Sequence, residues 1–150
     1  MSYGYKFPLE KLLEIREDKE EESKREFKES QKEKIEVENK LNSLKNELEK
    51  HKGIKPGEDV VYQKIKRRYL FALEAGIKNK QKELKIKERE LEVKREDLKQ
   101  KQIDRKTVSK LKENGYNKFI KDQNRIEQLN NDEFALYGYM RSLKGGENNG

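Results

Sequence analysis

Apolar residues recur every seven positions through the second half of the chain, at Leu70, Ile77, Leu84, Leu91 and Leu98. A companion row opens at Leu73 and continues as Lys80, Lys87, Lys94 and Lys101. The first half carries the same period less cleanly, at Leu13, Glu20, Phe27, Lys34, Leu41 and Leu48. Its companions are Arg16, Ser23, Ser30, Val37 and Leu44. A seven-residue apolar repeat marks a helix that buries one narrow stripe against another helix. Between the two repeats lies a Pro/Gly cluster, "KGIKPGED", Lys52 to Asp59. Gly53 suits the left-handed position after a helix end, and Pro56 cannot continue that helix. Glu58 and Asp59 place negative charge where the dipole of a new helix favours it. The pattern predicts a helix over 8–51, a loop over 52–57, a second helix over 58–142 and a flexible tail over 145–150. Residues 1–144 are expected to form a single hairpin.

The expected fold is all-α: two long helices in an antiparallel coiled-coil hairpin, the second longer and overhanging at its C-terminal end. Matching the two repeats pairs Leu41 with Leu70, Lys34 with Ile77, Phe27 with Leu84, Glu20 with Leu91 and Leu13 with Leu98. The pivot then falls between Lys55 and Pro56, inside the loop read independently from the breakers. Leu13, Phe27, Val37, Leu41, Leu70, Ile77, Leu84, Leu91 and Leu98 are the expected seam. In the companion rows Ser23 faces Lys87 and Arg16 faces Lys94, so the seam should loosen toward the termini.

In that register Leu9 lies beside Gln102. About 40 residues of the second helix remain unpaired, ~60 Å at 1.5 Å per residue. This overhang carries Tyr116, Phe119, Ile120, Ile126, Leu129, Phe134, Tyr137 and Met140. Gly115 and the Asn130-Asn131 pair are candidate points of interruption. On the far side of the second helix, Phe71, Ala75, Ile86 and Val93 share one face, a candidate partner surface.

Composition narrows the function. The chain has 150 residues, 45% charged and 31% hydrophobic, with no Trp and a net charge of +7. Positive and negative side chains alternate finely, which gives weak local fields and argues against nucleic acid. The basic run "KIKRRY", Lys64 to Tyr69, superficially resembles a basic-zipper reader, but it lacks Asn and its repeat has an intramolecular partner. There is no Cys and a single His, His51, at a helix end. No base–nucleophile pair, metal cluster or phosphate-cradling loop is present, so the expectation is a non-enzyme without cofactor. No stretch approaches the ~20 apolar residues of a membrane span, and the N-terminus lacks the apolar core of a secretory signal. A cytoplasmic protein, monomeric when free, is expected.

Two end segments carry a family resemblance. "YKFPLEKLLEIRE", Tyr5 to Glu17, resembles the opening of the FliJ family. "DRKTVSKLKENGYNKFIKDQNRIEQLNNDEFA", Asp104 to Ala135, is similar to that family's C-terminal block, most distinctively in "EQLNNDEFA". The resemblance implies a stalk-like, non-enzymatic component of the bacterial flagellar type III export apparatus. Its implied partners are the hexameric export ATPase, whose ring assembly and activity it promotes, the cytoplasmic domain of the membrane export gate, and export chaperones. It would sit in the cytoplasm, peripherally on the inner membrane. Aligned on "YLFALEAGIKNK", the gate contact falls on Tyr69, Leu73, Gly76 and Lys80, whereas the helical pattern alone favours Phe71. The ATPase-facing end would be the overhang, with Tyr116, Phe119, Ile120, Ile126, Asp132, Glu133, Phe134 and Met140. The chain departs from the family pattern in its bulky "YGYM", Tyr137 to Met140. The rivals are a generic structural coiled coil that associates through the overhang and the equivalent stalk of a needle-type injectisome.

Overall fold

The computed structural model describes residues 4–53 and 55–147. The fold is all-α. Helix α1 spans Glu10–His51 and helix α2 spans Val60–Glu147, so the second is about twice the length of the first. The last three residues of the expected tail lie outside the described residues, and the preceding ones continue α2.

The helix ends follow from local chemistry. Ahead of α1, the Glu10 N–H donates to the Phe7 carbonyl at 3.2 Å, closing a turn with Pro8 in its second position. The Leu9 carbonyl then accepts from Leu13 N–H at 3.0 Å, which starts the helical ladder. After α1, Gly53 takes a positive φ of 89°, the left-handed position that ends helices. Lys55, Pro56, Gly57 and Glu58 form a second turn. Its Pro sits second, its Gly third at φ 85°, and the Glu58 N–H reaches the Lys55 carbonyl at 3.4 Å. Asp59 supplies the carbonyl for the first bond of α2, to Gln63 N–H at 2.9 Å. Its carboxylate is thereby at a helix N-terminus, where the dipole favours it. Neither Gly115 nor the Asn130-Asn131 pair interrupts α2.

The chain divides into two compact units, Arg16–Ile103 and Met1–Ile15 with Asp104–Gly150. In the first, α1 and α2 pack antiparallel. Val37, Leu41, Leu73, Ile77 and Leu91 are buried, as are Glu20, Ser23 and Ser30. Phe27, Leu70, Leu84 and Leu98 are half-buried.

The register differs from the pairing expected from the repeats. Ser23 Oγ donates to Asp97 Oδ2 at 3.0 Å, and Lys94 Nζ reaches Glu26 and Lys87 Nζ reaches Glu33, each at 3.1 Å. Arg95 lies over the Phe27 ring, 5.8 Å from its centroid. Ser23 therefore does not face Lys87, nor does Phe27 face Leu84. The helices are displaced by roughly nine residues, about two and a half turns at 3.6 residues per turn.

The cause lies in the loop. An extended residue advances about 3.3 Å against 1.5 Å in a helix, so residues 52–59 need not pivot at their middle. Gly53 and Glu58 lie back along the first turns of α2, where Lys66 Nζ holds the Gly53 carbonyl at 2.6 Å and Glu58 at 3.2 Å. The shift exchanges the two rows of the seam, so each apolar row still meets a row of the other helix. It also replaces the awkward Arg16–Lys94 approach by the Lys94–Glu26 pair.

Candidate functional site

Near the start of α2, the four residues aligned with a gate contact occupy different environments. The Tyr69 hydroxyl donates to Glu47 Oε2 at 3.2 Å, and its ring meets His51 edge-on at 5.6 Å between centroids. Partial burial and the Glu47 carboxylate push the Tyr69 phenol above its ordinary pKa. Leu73 is buried in the seam. Gly76 is half-buried, and a Cβ there would rest 3.5 Å from Leu44 Cδ1, ordinary contact. Lys80 Nζ donates to Glu83 at 2.8 Å, and that bond holds the Glu83 carboxyl below its usual range. Tyr69 and, in part, Lys80 are thus presented to solvent, while Leu73 is not. Phe71 is 74% exposed and Ala75 is exposed too.

Sequence reasoning passed over the neighbours of Tyr69. Val61, Tyr62 and Ile65 are all exposed. Val61, Ile65 and Tyr69 are spaced four apart, so they share a helix face. The signal was available in "VVYQKIKRRY", whose basic residues drew the reading toward charge.

The terminal unit contains an arrangement the repeats did not suggest. Residues 4–9 form a strap along α2. The Tyr5 ring lies 6.0 Å from that of Tyr116 and 5.6 Å from that of Phe119. Lys112 Nζ pairs with Glu10 at 2.7 Å. Leu13 and Val108 are both buried, the latter to 2% exposure. Tyr116 and Phe119, expected to lack an intramolecular partner, therefore have one, and α1 reaches Lys112 rather than stopping at Gln102. The reason is the register shift together with Gly115. A Cβ at Gly115 would overlap the Tyr5 hydroxyl and lie 3.2 Å from Tyr5 Cζ. Gly115→Ala should consequently expel the Tyr5 ring while leaving α2 helical, since Ala is the better helix former by about 1 kcal/mol. Faster proteolysis of the first ten residues at unchanged helical circular dichroism is the expected readout.

Beyond the strap, Ile120, Ile126, Asp132, Glu133, Phe134 and Met140 are all exposed, together with Leu129, Leu136, Tyr137, Tyr139 and Leu143. No described helix is long and apolar enough to cross a membrane.

The family model described as Flagellar FliJ protein matches residues 5–144. The chain belongs to the FliJ family. The match begins at the strap residue Tyr5 and ends within the last turns of α2, so it takes in both helices and the loop. No curated protein and no solved structure matches the chain. Membership makes it a component of the flagellar export apparatus, in a family of export components rather than enzymes.

In the Arg16–Ile103 unit of this FliJ-family chain, partly exposed cross-helix ion pairs accompany the apolar burial. Lys87 bridges Glu33 on α1 and Glu90 on its own helix, which raises its pKa. Buried Glu20 is approached by Lys24 at 3.7 Å. Such pairs let charged residues occupy seam rows, because their stems cover apolar surface while the charges meet.

Proposed function

We propose that this FliJ-family chain is a non-enzymatic stalk of flagellar export, which docks its exposed C-terminal helix on the export ATPase hexamer and promotes assembly and activity of that ring. The face around Tyr69 and Lys80, backed by Leu73 and Gly76, contacts the cytoplasmic domain of the export gate. The same chain escorts export chaperones. It acts in the cytoplasm, at the cytoplasmic face of the inner membrane, and is a monomer when free.

The observation that supports this reading most is the unclothed end of α2. Ile126, Leu129, Phe134, Leu136, Met140 and Leu143 all stand in water within the last turns of α2, where no described residue covers them. Burying one large apolar side chain is worth about 1.5–3 kcal/mol, so a partner gains substantially by covering several. A slender helix also enters the centre of a ring of subunits where a compact domain cannot.

Ending the chain after Lys121 tests the ATPase contact. That cut keeps Tyr116 and Phe119, the platform of the strap. The shortened protein should melt like the parent and lose stimulation of the export ATPase; normal stimulation would place the contact elsewhere. For the gate, Tyr69→Ala with Lys80→Ala is compared with Phe71→Ala in pull-downs on the gate's cytoplasmic domain. Loss of binding for the pair alone supports the Tyr69 face, and loss for Phe71→Ala alone moves the contact to the opposite face.

A further inference from the structure

The seven-residue repeat of α2 does not end with the part that α1 covers. Counted on from Leu70, Ile77, Leu84, Leu91 and Leu98, the same phase reaches Phe119, Ile126, Glu133 and Met140. Counted on from Leu73, the companion phase reaches Val108, Leu129, Leu136 and Leu143. Within the open stretch the rows stay close to one stripe, because a straight helix drifts ~20° per heptad from a seven-residue repeat, about 50° over the two and a half heptads from Ile126 to Leu143.

The cover on these rows changes along the helix. In the Arg16–Ile103 unit, Leu73, Ile77 and Leu91 are buried against α1. In the terminal unit Val108 is buried and Tyr5 covers Phe119. From Ile126 onward no described residue covers them: Ile126, Leu129, Leu136, Met140 and Leu143 are each 46–55% exposed.

We infer that Ile126–Leu143 is an open continuation of the coiled-coil seam, which takes up an amphipathic α-helix of a partner protein carrying a basic residue opposite Glu133. The continuity of the repeat with a closed seam argues for a helix as the occupant. The charge argues for the cation. Within the shaft, each seam-row lysine that pairs across the helices meets a carboxylate of α1, as Lys87 meets Glu33 and Lys94 meets Glu26. Here the sign is reversed, and Glu133 enclosed without a cation would be strongly unfavourable. A second copy of the chain fits less well. A parallel dimer would set Glu133 against its own copy in the middle of the contact.

This inference deepens the reading of the overhang as the ATPase-facing end and takes its probe from that reading. The full chain and its variants are titrated against the export ATPase of the same flagellar system, and self-association is followed by sedimentation. Leu129→Ser with Leu136→Ser should weaken binding at least tenfold. Phe134→Ser should weaken it about threefold or less, because Phe134 lies outside both rows although it is 70% exposed. Glu133→Leu should weaken binding too, since it strands the partner's cation. Equal losses for Phe134→Ser and the double serine variant would overturn the seam, leaving a general apolar patch. Tighter binding by Glu133→Leu would overturn the opposing cation. A dimer of the free chain that the two serines disperse would make the occupant a second copy and overturn the partner helix. No binding by the parent chain would sink the ATPase reading and this inference with it, whereas intact binding by the serine variant sinks this inference alone.

Discussion

Truncating Leu91 to alanine should cost the Arg16–Ile103 unit about 2–5 kcal/mol, the range for a buried Leu whose site cannot collapse. Leu91 is 6% exposed, and the register of the cross-helix contacts sets it level with Ser30. Ser30 is small, and its buried hydroxyl makes no hydrogen bond among the described residues. Nothing on α1 at that level can move in to fill the space that alanine leaves. The melting temperature should fall by roughly 4–20 °C, taking about 2–4 °C per kcal/mol for a chain of this size. Val93→Ala, at an exposed position two residues on, should stay within about 0.5 kcal/mol. Urea melts followed by circular dichroism measure all of this. Ser30→Ala should be neutral or stabilising, since it removes an unsatisfied buried hydroxyl. Because Ser30 and Leu91 share a layer, their effects should not add. A Leu91→Ala variant that melts like the parent would show that the layer is not packed.

Much of the fold was legible because it depends on local chemistry. Gly53 ends α1 in a left-handed conformation, and Pro56-Gly57 builds a turn from the fixed φ of one residue and the freedom of the other. Both are properties of a few adjacent residues. The seven-residue rows of α2 likewise locate Leu73, Ile77 and Leu91 as buried without any knowledge of α1.

Register was not legible, and the reason is the repeat itself. Sliding one helix by a heptad, or exchanging the two rows, returns an equally apolar alignment. The choice rests on features that carry no apolar signal: Ser23 with Asp97, Lys94 with Glu26, and a loop drawn back by Lys66. The strap was missed for a related reason. Tyr5 precedes the first helix and obeys no period, and Gly115 reads as a weak point in a helix rather than as space for a ring. At the candidate docking surfaces, alignment by family pattern marked Leu73 and Lys80 alike, although one is buried and the other half-exposed. Exposure follows the register, so it inherited the same ambiguity.

Cysteine pairs should resolve the register with an almost all-or-none effect. The chain has no Cys of its own, so any engineered pair reports alone. Ser23→Cys with Asp97→Cys should be joined efficiently by a short bifunctional thiol reagent, because the two native side chains meet at 3.0 Å. Ser23→Cys with Lys87→Cys, the alignment favoured by matching the apolar rows, should stay unlinked. Residues 87 and 97 are ten apart on one helix, about 15 Å along its axis at 1.5 Å per residue, beyond the reach of a short linker. The terminal unit can be read in the same way. Glu10→Cys with Lys112→Cys should link, since those side chains pair at 2.7 Å. Each linked species is recognised by its altered migration in denaturing gels and confirmed by mass spectrometry of the joined peptides. Efficient intramolecular linkage of 23 to 87 in dilute solution would overturn the observed register and restore a pivot between Lys55 and Pro56. It would also uncover Phe119, because α1 would then end too early for Tyr5 to reach it. Linkage of 23 to 97 fixes where α1 stops covering α2, and with it the residue from which the exposed end of α2 is free to meet a partner.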